Sequence, residues 1–290
     1  MPKPFIISAE VTADLPQEYI SQHQISVLPM AYTIDGITYD GTLENSLPPS
    51  EFYSKVKQGL MPVTSQVTPV QAFEAFEHLY NEGFDILHLG FSSALSGSCN
   101  SSVVAKAQME EKYPDCKIIV IDTLCASLGQ GLLINQAVEM KANGQTIEDV
   151  AEKIENSKLH LIHYFTVDDL NHLQRGGRVS KTTAFVGTVL GIKPILHVDN
   201  DGKLIAIGKV RGRQQSLIEL VNRIESKISG YDNEYFYISH GDCIEDAYIV
   251  RDEIIKRFGE KKFLINQIGC VVGTHSGQGT VALFAVGDER

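Results

Sequence analysis

The sequence predicts an α/β protein with a parallel sheet in its first half and a mixed sheet in its second. Three observations carry this expectation. Short, continuous apolar runs (FIISA, DILHLGF, KIIVIDT) alternate with stretches of helical spacing, as in strands buried on both faces between crossover helices. The second half keeps strand-like and helix-like runs but adds a turn signal, Asn200-Asp201-Gly202, that marks a hairpin. Finally, 290 residues of which 43% are hydrophobic suit about two domains with a sizeable core. The change of texture near Asn156 places the domains at 1–157 and 158–290.

Taken in order, FIISA reads as a short buried strand, and Asp14-Leu15-Pro16 opens a helix. Asp35-Gly36 between YTI and ITY is a hairpin turn. SEFYSKVKQG follows Pro48 and Pro49 as a helix with Ser50 at its cap. The next helix begins after Thr68, with Pro69 in its first position and Val70, Phe73, Phe76 and Tyr80 on its apolar side. DILHLGF and KIIVIDT are strands, each followed by a loop and a helix, the second helix showing an apolar face through Leu128, Leu132 and Ala137. Beyond the boundary come the strand LHLIHYF, the short helix VDDLNHLQ, the segment AFVGTVLGIKPILHV and the strand KLIAIGKV. A helix with Leu217, Leu220, Val221 and Ile224 on one face is next, then the strand EYFYISH and the helix CIEDAYIVRDEIIKRFG. KKFLINQIGCVVGTH reads as one or two strands, and TVALFAVG as the last.

Composition excludes several functions. A net charge of -11 disfavours sequence-independent binding to nucleic acid or anionic membranes, which need a positive footprint. No apolar run is long enough to span a bilayer, and the amino-terminal run is too short for a signal peptide, so a cytoplasmic protein is expected. The five cysteines form no CxxC pair and read as buried thiols of a reducing compartment. His88, His160, His163, His172, His197 and His240 lack metal-ligand spacing, so no metal site is expected.

Four segments remain as carriers of chemistry. SSALSGS (92–98) follows a strand and precedes a helix, where hydroxyls and free N–H groups suit either a simple cap or an anion site. In MPVTSQVTP (61–69), Thr64 and Ser65 are spare once Thr68 caps the following helix. Arg175-Gly176-Gly177-Arg178, with Lys181, Lys193, Lys209, Arg211 and Arg213, is the densest basic region of an acidic chain, suited to an anionic group or to plain solvation. His275, among small residues in GTHSGQG, can donate to an anion, relay a proton or bond a loop carbonyl. Asp122 can sit in the crevice or orient its own loop. No GxSxG elbow or P-loop spacing is present.

In this order, the pieces TADLP (12–16), TSQ (64–66), SSALSGS (92–98), VIDTLCASLGQG (120–131), LQRGGRVS (173–180), GIKPIL (191–196), DGKL (201–204), VRGR (210–213) and GTHSGQG (273–279) resemble the DegV family over essentially the whole chain. The resemblance implies two α/β domains, a Rossmann-like parallel-sheet domain and a mixed-sheet domain, with a fatty acid between them. It further implies the lipid-carrying subunit of a bacterial fatty acid kinase, which presents its bound carboxylate to a separate ATP-binding subunit for acyl phosphate formation. The family's carboxylate-binding residues fall on Thr64, with Ser65 beside it, on Ser96 with the Gly97 amide, and on His275. Its basic, partner-facing or phosphate-handling residues fall on Arg178 and Arg211. A bound long-chain fatty acid and no cofactor are implied. The chain departs from the family at Glu10-Val11, where Asp-Ser is usual, and at Val67-Thr68, where Pro-Ser is usual. Two other readings compete. A self-sufficient acyl enzyme would use Ser96 as nucleophile and His275 as base, and a lipid-responsive regulator would contact another macromolecule.

Overall fold

The structure, a computed structural model, describes residues 3–42, 45–180 and 191–290. Lys181 and the AFVGTVL stretch of the sequence reading lie outside the described residues. The first half runs β1 (Phe5–Glu10), α1 (Gln17–Gln22), β2 (Ser26–Leu28), β3 (Tyr32–Ile34), β4 (Ile37–Tyr39), α2 (Pro49–Lys57), β5 (Val63–Thr64), α3 (Pro69–Asn81), β6 (Asp85–Gly90), α4 (Ser98–Lys112), β7 (Ile118–Asp122), α5 (Leu128–Ala142) and α6 (Ile147–Ser157). The second runs β8 (Leu161–Thr166), α7 (Asn171–Arg175), β9 (Ile192–Val198), β10 (Leu204–Arg211), α8 (Arg213–Glu225), β11 (Tyr235–His240), α9 (Ile244–Phe258), β12 (Lys262–Gln267), α10 (Cys270–Ser276) and β13 (Val281–Val286).

The expected sheets form. In the first half, β2-β1-β6-β7 pair in parallel. In the second, β10-β9-β8-β13-β11-β12 make a mixed sheet in which only β11 and β12 run parallel. The Asp35-Gly36 hairpin joins β3 to β4, with both residues at positive φ as a tight primed turn requires. Its partner on the other edge is β5, which carries Thr64 opposite Tyr32.

Helix α5 packs between the two large sheets. It touches β1 and β6 on one side and β11 and β13 on the other, and a single apolar core spans both. The glycines of LGQGLL make this approach feasible: a Cβ on Gly129 would press on His163 and Phe284, and one on Gly131 on Leu15 and Ala13. The face through Leu128, Leu132 and Ala137 is buried as expected, but so are Gln130 and Leu133, because the helix is covered nearly all round.

Four local expectations change. Ser50 is not a cap: α2 starts at Pro49, whose fixed φ suits a first helical position, and Ser50 follows inside the helix. Helix α3 begins at the Thr68 cap, which Gln71 completes, yet its buried face is Ala72, Phe76 and Leu79, while Val70 is exposed. Helix α6, absent from the sequence reading, carries its own capping box at Thr146 and Asp149. CVVGTHS is the short helix α10 rather than a second strand. Its β-branched pair favours extended chain, but packing of Cys270 and Val271 into the core of α2 and β3 prevails over that propensity.

A buried polar joint ties the halves together. Asp14, in a left-handed conformation, accepts from Ser127 Oγ at 2.5 Å and from the Gly269 amide at 3.0 Å. Ser127 Oγ also lies 2.8 Å from Ser239 Oγ. Burial raises the Asp14 pKa to about 7, against the two hydrogen bonds that lower it. Because the folded-state pKa lies above the unfolded one, the stability Asp14 contributes is complete below pH 3.8 and is lost as pH rises to about 7. Asp14→Asn keeps the shape and tolerates positive φ. Between those limits the wild type should lose about 1 kcal/mol per pH unit relative to the variant in denaturant melts. A difference that is flat with pH would show that Asp14 does not titrate there.

Candidate functional site

Three separate segments meet at the wall of one cavity. Strand β5 ends at Thr64, and the Ser65 amide donates to the Ala31 carbonyl at 2.8 Å, which leaves the Ser65 side chain exposed. Two residues on, the Val67 amide donates to Ser98 Oγ at 3.0 Å, clamping the TSQVT loop to the start of α4. Ser96 Oγ lies 3.0 Å from the same Ser98 hydroxyl. The Gln66 side-chain amide lies against Gly97, where a Cβ would displace it. The third segment is α10, which brings His275 Nε2 to 2.8 Å from Thr64 Oγ1.

The turn after α7 completes the site. Arg178 Nε donates to the Leu95 carbonyl at 3.0 Å, and its Nη1 to the Gly176 carbonyl. Gly176 itself backs onto His275, where a Cβ would run into Nδ1. Burial first, and then the Arg178 charge, lower the His275 pKa to about 4, so the imidazole is neutral at pH 7.

The cavity, of about 200 Å³, is lined by Thr64, Ser96, Gly97, Arg178 and His275 together with Leu95, Phe165, Val198, Leu204, Ile268 and Phe284, among others. A second depression, of about 380 Å³, shares Thr64, Arg178 and His275 with it and adds His172 and Arg175. These three shared residues therefore stand between the two spaces. Among the described residues no Asp or Glu lines the depression.

The structure thus brings four of the five expected ligand residues to one cavity, with Arg178 beside them. Ser65 and Arg211 do not line it: both are exposed, Arg211 at the end of β10. Ser96 Oγ pairs with Ser98 and His275 with Thr64, so no Ser96–His275 pair forms among the described residues. Asp122 orients its own loop, accepting from the Ser93 and Leu124 amides at 3.2 and 3.0 Å. Much of the basic region is engaged elsewhere, Lys193 and Arg213 with Asp168 and Arg213 also with Asp246. Ser276 was missed by sequence reasoning. It lines the cavity beside His275, is buried, and its Oγ has no hydrogen-bond partner among the described residues. Its place in GTHSGQG was the available signal. Among the described residues no group of three or more His, Cys, Asp or Glu could hold a metal ion, and no helix is long and apolar enough to cross a membrane.

The fold and site define an α/β protein whose apolar cavity ends in hydroxyl, imidazole and guanidinium groups. The chain belongs to the DegV family: the profile described as "Uncharacterised protein, DegV family" matches residues 5–288. It is 42% identical over 288 residues to a DegV domain-containing protein of Clostridium perfringens, covering 99% of each chain. Its fold is similar to a DegV family protein from Thermus thermophilus described by its fatty acid binding, with a TM-score of 0.87, 27% identity and coverage of 98% of this chain and 100% of the other. It is likewise similar to DegV, a fatty acid binding protein from Bacillus subtilis, with a TM-score of 0.84, 27% identity and coverage of 99% and 100%.

The neutral imidazole is directly testable. Followed by NMR in the ligand-free protein, His275 should titrate near pH 4. Arg178→Ala should raise that midpoint while leaving it below 6.5, since burial, the larger cause, remains. A wild-type midpoint near 6.5 would contradict the buried, cation-flanked site.

Proposed function

We propose that the protein binds a long-chain fatty acid in this cavity and presents its carboxylate to a separate, ATP-binding kinase subunit for acyl phosphate formation. The observation that carries the reading is the convergence of Thr64, Ser96, Gly97 and His275 on one cavity with aliphatic and aromatic walls. Fatty acid binding by the similar Thermus and Bacillus proteins supports it. Each buried methylene adds roughly 0.8 kcal/mol, so the chain supplies affinity and the polar end supplies orientation.

At that end the hydroxyls of Thr64 and Ser96 and the Gly97 amide donate to the carboxylate. A threonine hydroxyl has one proton, so when Thr64 donates to the ligand it accepts from His275 Nε2–H. The neutral imidazole thereby aims the threonine, and the Arg178 guanidinium faces the negative charge. A carboxylate oxygen then attacks the γ-phosphorus of ATP on the partner, ADP leaves, and the shared depression is the route by which the phosphoryl group arrives. We assign the domains to residues 1–157 and 158–290, with the ligand between them, and the exposed Arg211 to contact with the kinase subunit. A cytoplasmic, bacterial setting with no nucleic-acid partner completes the proposal.

Native mass spectrometry of freshly purified protein, followed by organic extraction, should recover a monocarboxylic acid with a long alkyl chain. Well-folded protein carrying only nucleotides or polar metabolites would count against the reading. The arginines should separate in assays with the kinase subunit. Arg211→Ala should lower acyl phosphate yield and leave fatty acid affinity unchanged, whereas Arg178→Ala should lower both, because Arg178 lines the cavity and braces the Leu95 carbonyl. Lost affinity in the Arg211 variant would remove it from the partner surface.

A further inference from the structure

The strand register gives the cavity a direction. Thr280, just before β13, and Ala282 and Phe284 within it line the cavity, the last two opposite Phe165 and His163 of β8. Thr280 Oγ1 donates to the Ser276 carbonyl at 2.9 Å, which sets this end of the strand pair beside His275. Phe284 and His163 stand about 13 Å further along, at the rise of an extended strand.

That far end is crossed by the turn between β9 and β10. Val198 and Leu204, paired across the hairpin, line the cavity on either side of the turn. His197, beside Val198, pairs with Tyr164, beside His163, so the turn stands at the His163 level. It rests on the first half of the chain. Ser92 Oγ donates to the Gly202 carbonyl at 2.9 Å, and a Cβ on Gly202 would run into Ser92 Oγ and Leu124.

Arg290 pins the turn in place. The residue is 7% exposed, and its Nη1 donates to the Leu124 carbonyl at 2.6 Å and the Asp199 carbonyl at 3.3 Å, bridging the first half to the turn. Its Nη2 donates to the Lys158 carbonyl at 2.6 Å and lies 3.3 Å from Cys125 Sγ. Its Nε donates to the carbonyl of Leu161, which opens β8 two residues beyond His163. None of these partners is a carboxylate. Turning the guanidinium aside would leave a buried charge and several carbonyls unmet, so an incoming alkyl chain cannot cheaply displace it.

We propose that Arg290 is a positioning residue that sets the longest acyl chain the cavity accepts, by holding the β9–β10 turn across its far end. The inference rests on the fatty-acid reading above and deepens it by naming what limits the class of acid. An apolar plug can repack around an apolar chain, whereas a bonded guanidinium makes a fixed stop. Without Arg290, the turn keeps only its Ser92 tie to the first half, and the emptied space behind it lets the turn yield to a longer chain.

The test is competition against a fluorescent fatty acid, using the delipidated full chain and straight-chain saturated acids from dodecanoic to tetracosanoic. In the wild type, affinity should rise about fourfold with each added methylene and stop rising at the length where the methyl end meets the turn. Arg290→Ala should keep gaining for about two carbons more, while acids below the limit bind as they do to the wild type. Ser92→Ala, which removes the other tie on the turn, should move the limit in the same direction, and it serves alone if Arg290→Ala does not fold. An unmoved limit, or the uniform loss at every length that a merely structural role would give, would overturn the inference and leave the fatty-acid reading standing. A wild type that binds none of the acids would overturn both.

Discussion

The site depends on a hydrogen bond between residues 211 positions apart, from His275 on α10 to Thr64 at the edge of β5. It forms because α10, although late in the chain, docks against elements of the first half. Tyr53 of α2 donates to the Ile268 carbonyl at 3.0 Å and covers Gly273, where any side chain would strike its ring. Cys270 and Val271 join the core of Phe52, Tyr32 and Phe76. Without that docking, imidazole and threonine would not meet. The cavity is thus a product of how the halves pack, and the Asp14 joint with Ser127, Ser239 and Gly269 fixes the same packing from the other side.

Electrostatics at the site follow from this enclosure. A carboxylate taken out of water must be met by donors, since an unpaired buried charge is expensive. The half-buried imidazole is neutral, so positive charge comes from Arg178, while hydroxyl and amide groups provide direction. Among the described residues, Arg178 is held by backbone carbonyls of two loops and by no carboxylate, which leaves its charge to meet an anion. Such an arrangement suits an acid better than a neutral lipid of the same length.

Much of the fold was legible because local and global signals agreed. Continuous apolar runs marked β1, β6, β7 and β8, Asp35-Gly36 and Asn200-Asp201-Gly202 marked hairpins, and Thr68-Pro69 marked the start of α3. One failure lies where packing overrides propensity. Val271 and Val272 favour a strand, yet the chain is helical there because its neighbours demand it. The motif order pointed to Thr64, Ser96 and His275, but only the folded chain puts Arg178 beside them, lining both the cavity and the second depression. Ser276 showed only through its place in GTHSGQG, because an unsatisfied buried atom is defined by what surrounds it and not by its place in sequence. Glu10, where the resemblance leads one to expect Asp, accepts on Oε2 from the Phe91 amide at 2.8 Å and the Gln130 side chain at 3.0 Å, while its Oε1 has no hydrogen-bond partner among the described residues.

The central claim is that one carboxylate is held jointly by Thr64 and Ser96. Binding titrations comparing a fatty acid with the alcohol of equal chain length test it most directly, because the apolar contribution cancels. The wild type should prefer the acid, and Thr64→Ala and Ser96→Ala should each narrow that preference by about tenfold or more, the worth of a hydrogen bond to a charged group. An acid-over-alcohol preference unchanged in both variants, in protein that still binds lipid, would contradict it.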